Sequence, residues 1–305
     1  MKERKTRSGV EAPPPSNWYL REGILLRVVL LLTLGSYLPT MWFDFVWDDH
    51  LLLAVNPWME SWRQVPAIFT HSFWGFLEVP RVTDYYRPLV MLLLAAVRHV
   101  LGPAPGWSHL AVAGVHLLAT YLVYLLAREL LHDGVTAAVA AGIFGLHPTK
   151  VETAAWISGV SDSLCLVFFL GSLIGYLKWK QEGKRGGWLA ASLALLLLAL
   201  FSKETAVLAP VLIGIYELST AAGRVRARIG SAVRDVVPYG VVVGIFWVIR
   251  IYALRGFAGA GQYAIRIAPT IWTGPRAVLW YLGKQLWPGT LSVEYPVVLV
   301  EHFSA

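Results

Sequence analysis

The chain has 305 residues, of which 56% are hydrophobic and only 15% charged, with 14 tryptophans and a mean hydropathy of +0.56. That balance excludes an ordinary soluble domain and predicts an all-α polytopic membrane protein, since only helices or closed barrels satisfy their backbone in hydrocarbon. The formal charge of +7 sits in short clusters between apolar runs, which excludes a nucleic-acid surface and points to membrane orientation instead.

Residues 1–23 read as a basic cytosolic tail, "MKERKTR", and a stiff linker, "APPPS". The first apolar run, 24–43, lacks a small-residue cleavage site and is read as an uncleaved first span. Further helices are predicted near 88–101, 109–127, 135–147, 157–177, 188–201, 205–220 and 236–252, with a last apolar piece at 276–291. The connections "REL", "KWKQEGKR" and "GRVRAR" hold most of the remaining bases and are assigned to the cytosolic side. Parity is then satisfied if 88–101, which reaches only about 21 Å as a helix, lies in the interface or re-enters, with a tilted true span as the alternative. About seven crossings through residue 252 follow.

This topology brings three polar connections to one outer face: the first outer loop, 44–87, and the segments 147–156 and 202–205. The outer loop is rich in Trp and Phe, which predicts interfacial belt residues and one interfacial helix around 61–73. The single cysteine, Cys165, lies in an apolar run and is read as a packing residue. "GFAGAG" (256–261) does not follow a strand and reads as a loop rather than a phosphate cradle.

The outer face carries candidate chemistry. "FVWDDHLLL" sets Asp48 and Asp49 just past the first span; taken singly they read as a solvated loop start. "DYYRPL" adds Asp84 and Arg87, whose guanidinium suits a phosphate or a snorkelling position. "HPTKVE" contributes His147, Lys150 and Glu152, Asp162 follows in the next apolar run, and "SKE" supplies Lys203 and Glu204. An aspartate at that depth should face the bundle interior or a water-filled cavity. Cations that hold a phosphate leaving group, beside a carboxylate that takes a proton from a hydroxyl, suit group transfer from a lipid-linked phosphosugar. The acidic residues also admit a divalent metal, whereas no zinc motif or serine triad is present.

The ordered segments "FVWDDHLLLAVNP", "YYRPLVMLLLAAVRHVLG", "HPTKVETAAWISGVSDSLCLVFFL", "FSKETAVLAPVL" and "YLGKQLWPGTLSVEYP" resemble the transmembrane and TPR-repeat-containing (TMTC) family over roughly residues 40 to 300. The resemblance implies a GT-C type glycosyltransferase related to the protein O-mannosyltransferases, with residues 24–305 as the transmembrane domain. It implies a polyprenyl-phosphate sugar donor, mannose first, and a Ser or Thr acceptor on a protein, with a glycan as the other acceptor class. It implies an active face that is extracytoplasmic or lumenal, and it maps the catalytic acid of the first outer loop onto Asp48 and Asp49. Family members continue into more helices and a TPR array, so a chain truncated at its C-terminus is expected. The rival expectations are a lipid-linked-sugar flippase and a noncatalytic membrane scaffold.

Overall fold

A computed structural model describes residues 18–77, 85–184, 186–221, 223–256, 267–292 and 295. Among these residues every regular element is helical. The α-helices are α1 (Trp18–Tyr37), α2 (Val65–Thr70), α3 (Pro88–Leu101), α4 (Pro105–Leu131), α5 (Gly134–Leu146), α6 (Val151–Ala155), α7 (Val160–Gln181), α8 (Gly186–Ser202), α9 (Ala209–Thr220), α10 (Val225–Leu254) and α11 (Ile267–Leu286). Four stretches are long and apolar enough to cross a membrane by length and composition: Arg21–Trp42, Pro105–Leu131, Val160–Gln181 and Val225–Leu254. The helices 88–101, 134–146 and 186–202 are apolar but shorter.

Local chemistry sets the helix ends. Prolines open α3 and α4 at positions where a missing N–H is harmless. His132 then ends α4 in the left-handed region, φ 54°, and Asp133 caps α5 by accepting from the Thr136 N–H at 2.7 Å. The outer-loop helix is shorter than the sequence suggested: a 3-10 turn at Trp62–Gln64 leads into the six residues of α2, which stop where His71 turns extended. The bases of "GRVRAR" are not all connection either. Only Arg224 is extended, and Arg226 and Arg228 already belong to α10.

α7 is the central helix, packed against α8 and α4, while α10 packs on α9 and α8 and α1 on α5. The α7–α8 approach depends on small residues: a Cβ added at Gly175 would lie 3.2 Å from the Ser192 side chain. Ser192 Oγ also donates to the Ser172 carbonyl at 2.6 Å and lies 2.7 Å from Tyr239 Oη, which joins α7, α8 and α10.

The outer loop has an apolar core of its own. Leu52, Leu53, Met59, Ile68, Phe73 and Phe76 are buried against Val90, Met91 and Leu94 of α3 and Ile157 and Val160 at the start of α7. The loop aromatics therefore divide: Trp47 and Trp62 are exposed, whereas Phe73 and Phe76 are packing residues. Arg98 reinforces this seat by donating to the Leu53 carbonyl at 3.0 Å.

The two ends of the bundle carry different polar sets. One end holds the ion pairs Arg128–Glu22, Lys178–Glu129, Lys180–Glu217 and Lys184–Asp235, in which Glu22, Glu217 and Asp235 are buried. The other end receives the C-terminus of α1, the N-termini of α3 and α7, and the α8–α9 junction. The candidate site lies there.

Candidate active site

The acidic pair sits in a closed four-residue turn. Asp49 N–H donates to the Val46 carbonyl at 3.0 Å, and the Val46 N–H donates back to Asp49 Oδ2 at 3.1 Å. Between them Trp47 takes φ 48°, a left-handed conformation that costs a bulky residue about 1 kcal/mol or more. Asp49 is fully buried, and its Oδ1 accepts from both the N–H and the hydroxyl of Ser158, at 2.9 and 2.5 Å. Asp48 is half-buried at the tip of the turn, with no hydrogen-bond or ion-pair partner among the described residues. Burial first, and the Asp49 charge second, push the Asp48 carboxyl above its ordinary value.

Two further motifs reach the same segment. Arg87, at the N-cap just before Pro88, donates to Ser161 Oγ at 3.3 Å, meets Glu204 Oε1 at 3.4 Å and stacks 4.3 Å from the Tyr85 ring centroid. The contact is loose: Arg87 Nε and Glu204 Oε2 are both buried without a partner. Lys203 meets both oxygens of Asp162 at 2.7 Å. Asp49, Arg87 and Lys203 thus attach to Ser158, Ser161 and Asp162 in turn, all within five residues at the start of α7.

Lys150 completes the cluster in a different way. Its ammonium lies 5.3 Å from the Phe144 ring centroid and has no carboxylate within ion-pair distance among the described residues. Burial lowers its pKa, and the Asp162 charge opposes that shift. Lys150 and Asp162 line a cavity of about 360 Å³ with Thr153, Thr205 and Cys165, and Phe169, Leu208 and Leu212 form its apolar wall. Cys165 therefore faces this cavity as well as packing.

The remaining candidates stand apart. His147 bridges α5 to α11, with Nδ1 2.8 Å from Thr149 Oγ1 and Nε2 2.9 Å from the Gln285 carbonyl. Glu152 is exposed on α6 with no side-chain partner among the described residues. Asp84 and residues 257–261 of the glycine-rich segment lie outside the described residues. Among the described residues no three His, Cys, Asp or Glu side chains converge to hold a cation, and Asp49 and Asp162 already have partners in Ser158 and Lys203. Ser158 and Ser161 were not singled out from the sequence. Their signal was present in "WISGVSDS", a polar run leading into an apolar helix.

The chain is 30% identical over 191 residues to the protein O-mannosyl-transferase Tmtc1 of Drosophila melanogaster, covering 62% of this chain and 22% of that protein. It is 32% identical over 198 residues to Tmtc2 of the same organism, covering 60% and 20%, and 34% identical over 149 residues to human TMTC2, covering 48% and 18%. The relationship is TMTC-like. The TMTC-like chain spans about a fifth of the length of these relatives. No family model and no solved structure matches it.

Proposed function

We propose that this TMTC-like chain is a membrane glycosyltransferase module that moves a sugar, mannose first, from a polyprenyl-phosphate donor to an acceptor hydroxyl on protein Ser or Thr at the extracytoplasmic face. The observation that carries the reading is that Asp49, Arg87 and Lys203 all attach to residues 158–162, where Asp162 also lines the cavity, and the relatives' names supply the sugar and the acceptor class.

Asp48 is the base, because it has a raised proton affinity and no partner among the described residues, while Asp49 is committed to Ser158. As the acceptor O–H is broken its proton passes to Asp48, its oxygen forms the new bond to the anomeric carbon, and the bond from that carbon to the phosphate oxygen breaks. The product is inverted. The departing polyprenyl phosphate gains negative charge, and Lys150, with no carboxylate partner among the described residues, meets it. Lys203 and Arg87 reach it by exchanging Asp162 and Glu204 for phosphate oxygens. A bound phosphate also restores the proton affinity that burial takes from Lys150. The apolar wall of Phe169, Leu208 and Leu212 accepts the first part of the prenyl chain, and Asp162 and Glu152 orient sugar or acceptor.

The test supplies membranes containing the chain with labelled polyprenyl-phosphate mannose and follows label into protein and lipid fractions, with the anomeric configuration of the product determined. Protein-bound mannose of inverted configuration is the expected result. Label that crosses the bilayer still attached to the lipid would replace this reading with a flippase.

A further inference from the structure

The Asp49–Ser158 contact links two segments 109 residues apart in sequence, and the proposed chemistry does not use it. Asp49 is 0% exposed, and three donors occupy its carboxylate: the Ser158 N–H and hydroxyl on Oδ1 and the Val46 N–H on Oδ2. The same carboxylate therefore closes the Val46–Asp49 turn and fastens it to the start of α7. The turn requires fastening, because Trp47 at φ 48° would relax if released. Trp47 itself makes an edge contact to Trp156, with ring centroids 5.9 Å apart, and its carbonyl accepts from the His50 N–H at 3.3 Å.

The other half of the contact is rigid. Ser158 lies between Ile157, which is fully buried, and Gly159, where an added Cβ would come within 2.5 Å of the Glu152 carbonyl. Backbone bonds from Gly159 N–H to the Trp156 carbonyl and from Val160 N–H to the Ile157 carbonyl, both 3.1 Å, fix the turn that presents Ser158. A rigid element thus holds a strained one, and Asp48 is the residue next to the hold.

We propose that Ser158 is a positioning residue: through Asp49 it locks the Val46–Asp49 turn and thereby fixes Asp48 relative to the phosphate-binding end of α7. This rests on the reading of Asp48 as the base. The clamp touches neither donor nor acceptor, so its loss acts on the catalytic step and leaves donor binding alone. A misplacement of about 1 Å costs on the order of a hundredfold in rate.

Two measurements on the full chain in membranes test it. In the first, Ser158→Ala keeps the backbone N–H bond and loses the hydroxyl. The expected result is a kcat lower by about ten- to a hundredfold with donor KM within about threefold of wild type, and recovery of most of the rate in Ser158→Thr, which restores the hydroxyl. An unchanged kcat in Ser158→Ala, or a loss that Ser158→Thr does not recover, overturns the proposal. The second needs no transferase activity: in a Cys165→Ala background, the thiol introduced by Asp48→Cys is labelled with a maleimide, with and without Ser158→Ala. Release of the turn should change the labelling rate by about fivefold or more. An equal rate would overturn the clamp, whereas a changed rate with no sugar transfer by wild type would keep the clamp and reject the transferase reading.

Discussion

Lys203 and Asp162 meet through both carboxylate oxygens at 2.7 Å, although 41 residues separate them in sequence. Their side chains are 21% and 47% exposed, so the pair contributes no more than about 1 kcal/mol to stability. More consequential is that Asp162 lines the cavity with Lys150, so that its partner Lys203 is held next to that cavity. Lys203→Ala should therefore leave the thermal midpoint nearly unchanged while raising donor KM by about tenfold, as expected for the loss of one charge-assisted contact to phosphate. Unfolding curves and donor titrations on the same preparation separate the two effects.

Lys150 gives a contrasting prediction. Burial lowers its pKa, so the folded chain disfavours the charged form, and below that lowered pKa holding the charge costs stability. Lys150→Met should be as stable as wild type or more so at neutral pH, yet bind donor about tenfold more weakly. Donor affinity in wild type should fall as pH rises, starting below the pH at which an ordinary lysine discharges. Lys150→Arg should move that fall to higher pH. Donor binding measured across pH for the three chains checks each part.

Asp48 sets the acid side of the profile. Its carboxyl is raised above the ordinary value by burial and by Asp49, and the base must be ionised to act, so kcat/KM should fall as pH drops through that raised value. A raised carboxyl also means that the neutral form suits the fold: the stability it contributes is present below the unfolded-chain pKa and is lost as pH rises through the folded one. Asp49→Asn removes only the Coulombic part, so the acid limb of the residual activity should shift to lower pH. The shift is read from full profiles of kcat/KM, since a single pH would confuse it with the loss of the clamp.

The opposite end of the bundle should respond in stability rather than in chemistry. Lys180 joins buried Glu217 and Asp235 at 2.8 and 3.0 Å, and Tyr176 donates to Glu217 from the same helix. Lys180→Met leaves Glu217 without a cation, which costs about 3 kcal/mol, whereas Asp235 retains Lys184. A lower unfolding midpoint with an unaltered kcat/KM at permissive temperature is the expected outcome.

The helical plan was legible because hydropathy and punctuation agree: Pro88 and Gly102 bound α3, and Asp133 caps α5 where the apolar run begins. Errors arose where tertiary packing overrides local pattern. The aromatic loop looked like one interfacial helix, but Pro66 and the extended His71 cut it to six residues, and its Phe73 and Phe76 turn inward onto α3. "GRVRAR" looked like a loop because it is charged, yet the helical start at Val225 puts Arg226 and Arg228 within α10. The acids and bases of the site could be named from the sequence, but their partners could not. Nothing local pairs Arg87 with Glu204 or Asp49 with Ser158, and serines at the head of an apolar helix look the same whether they pack or bind.

The most direct measurement is transfer of labelled mannose from its polyprenyl phosphate by wild type and Asp48→Asn, expressed to equal levels in the same membranes. Wild type should transfer label to protein, whereas Asp48→Asn should bind the donor with near-normal affinity but transfer at least about a hundredfold more slowly. Equal transfer by the two chains would contradict the role of Asp48 as base, because no other carboxylate in the described site combines partial burial with freedom from a partner.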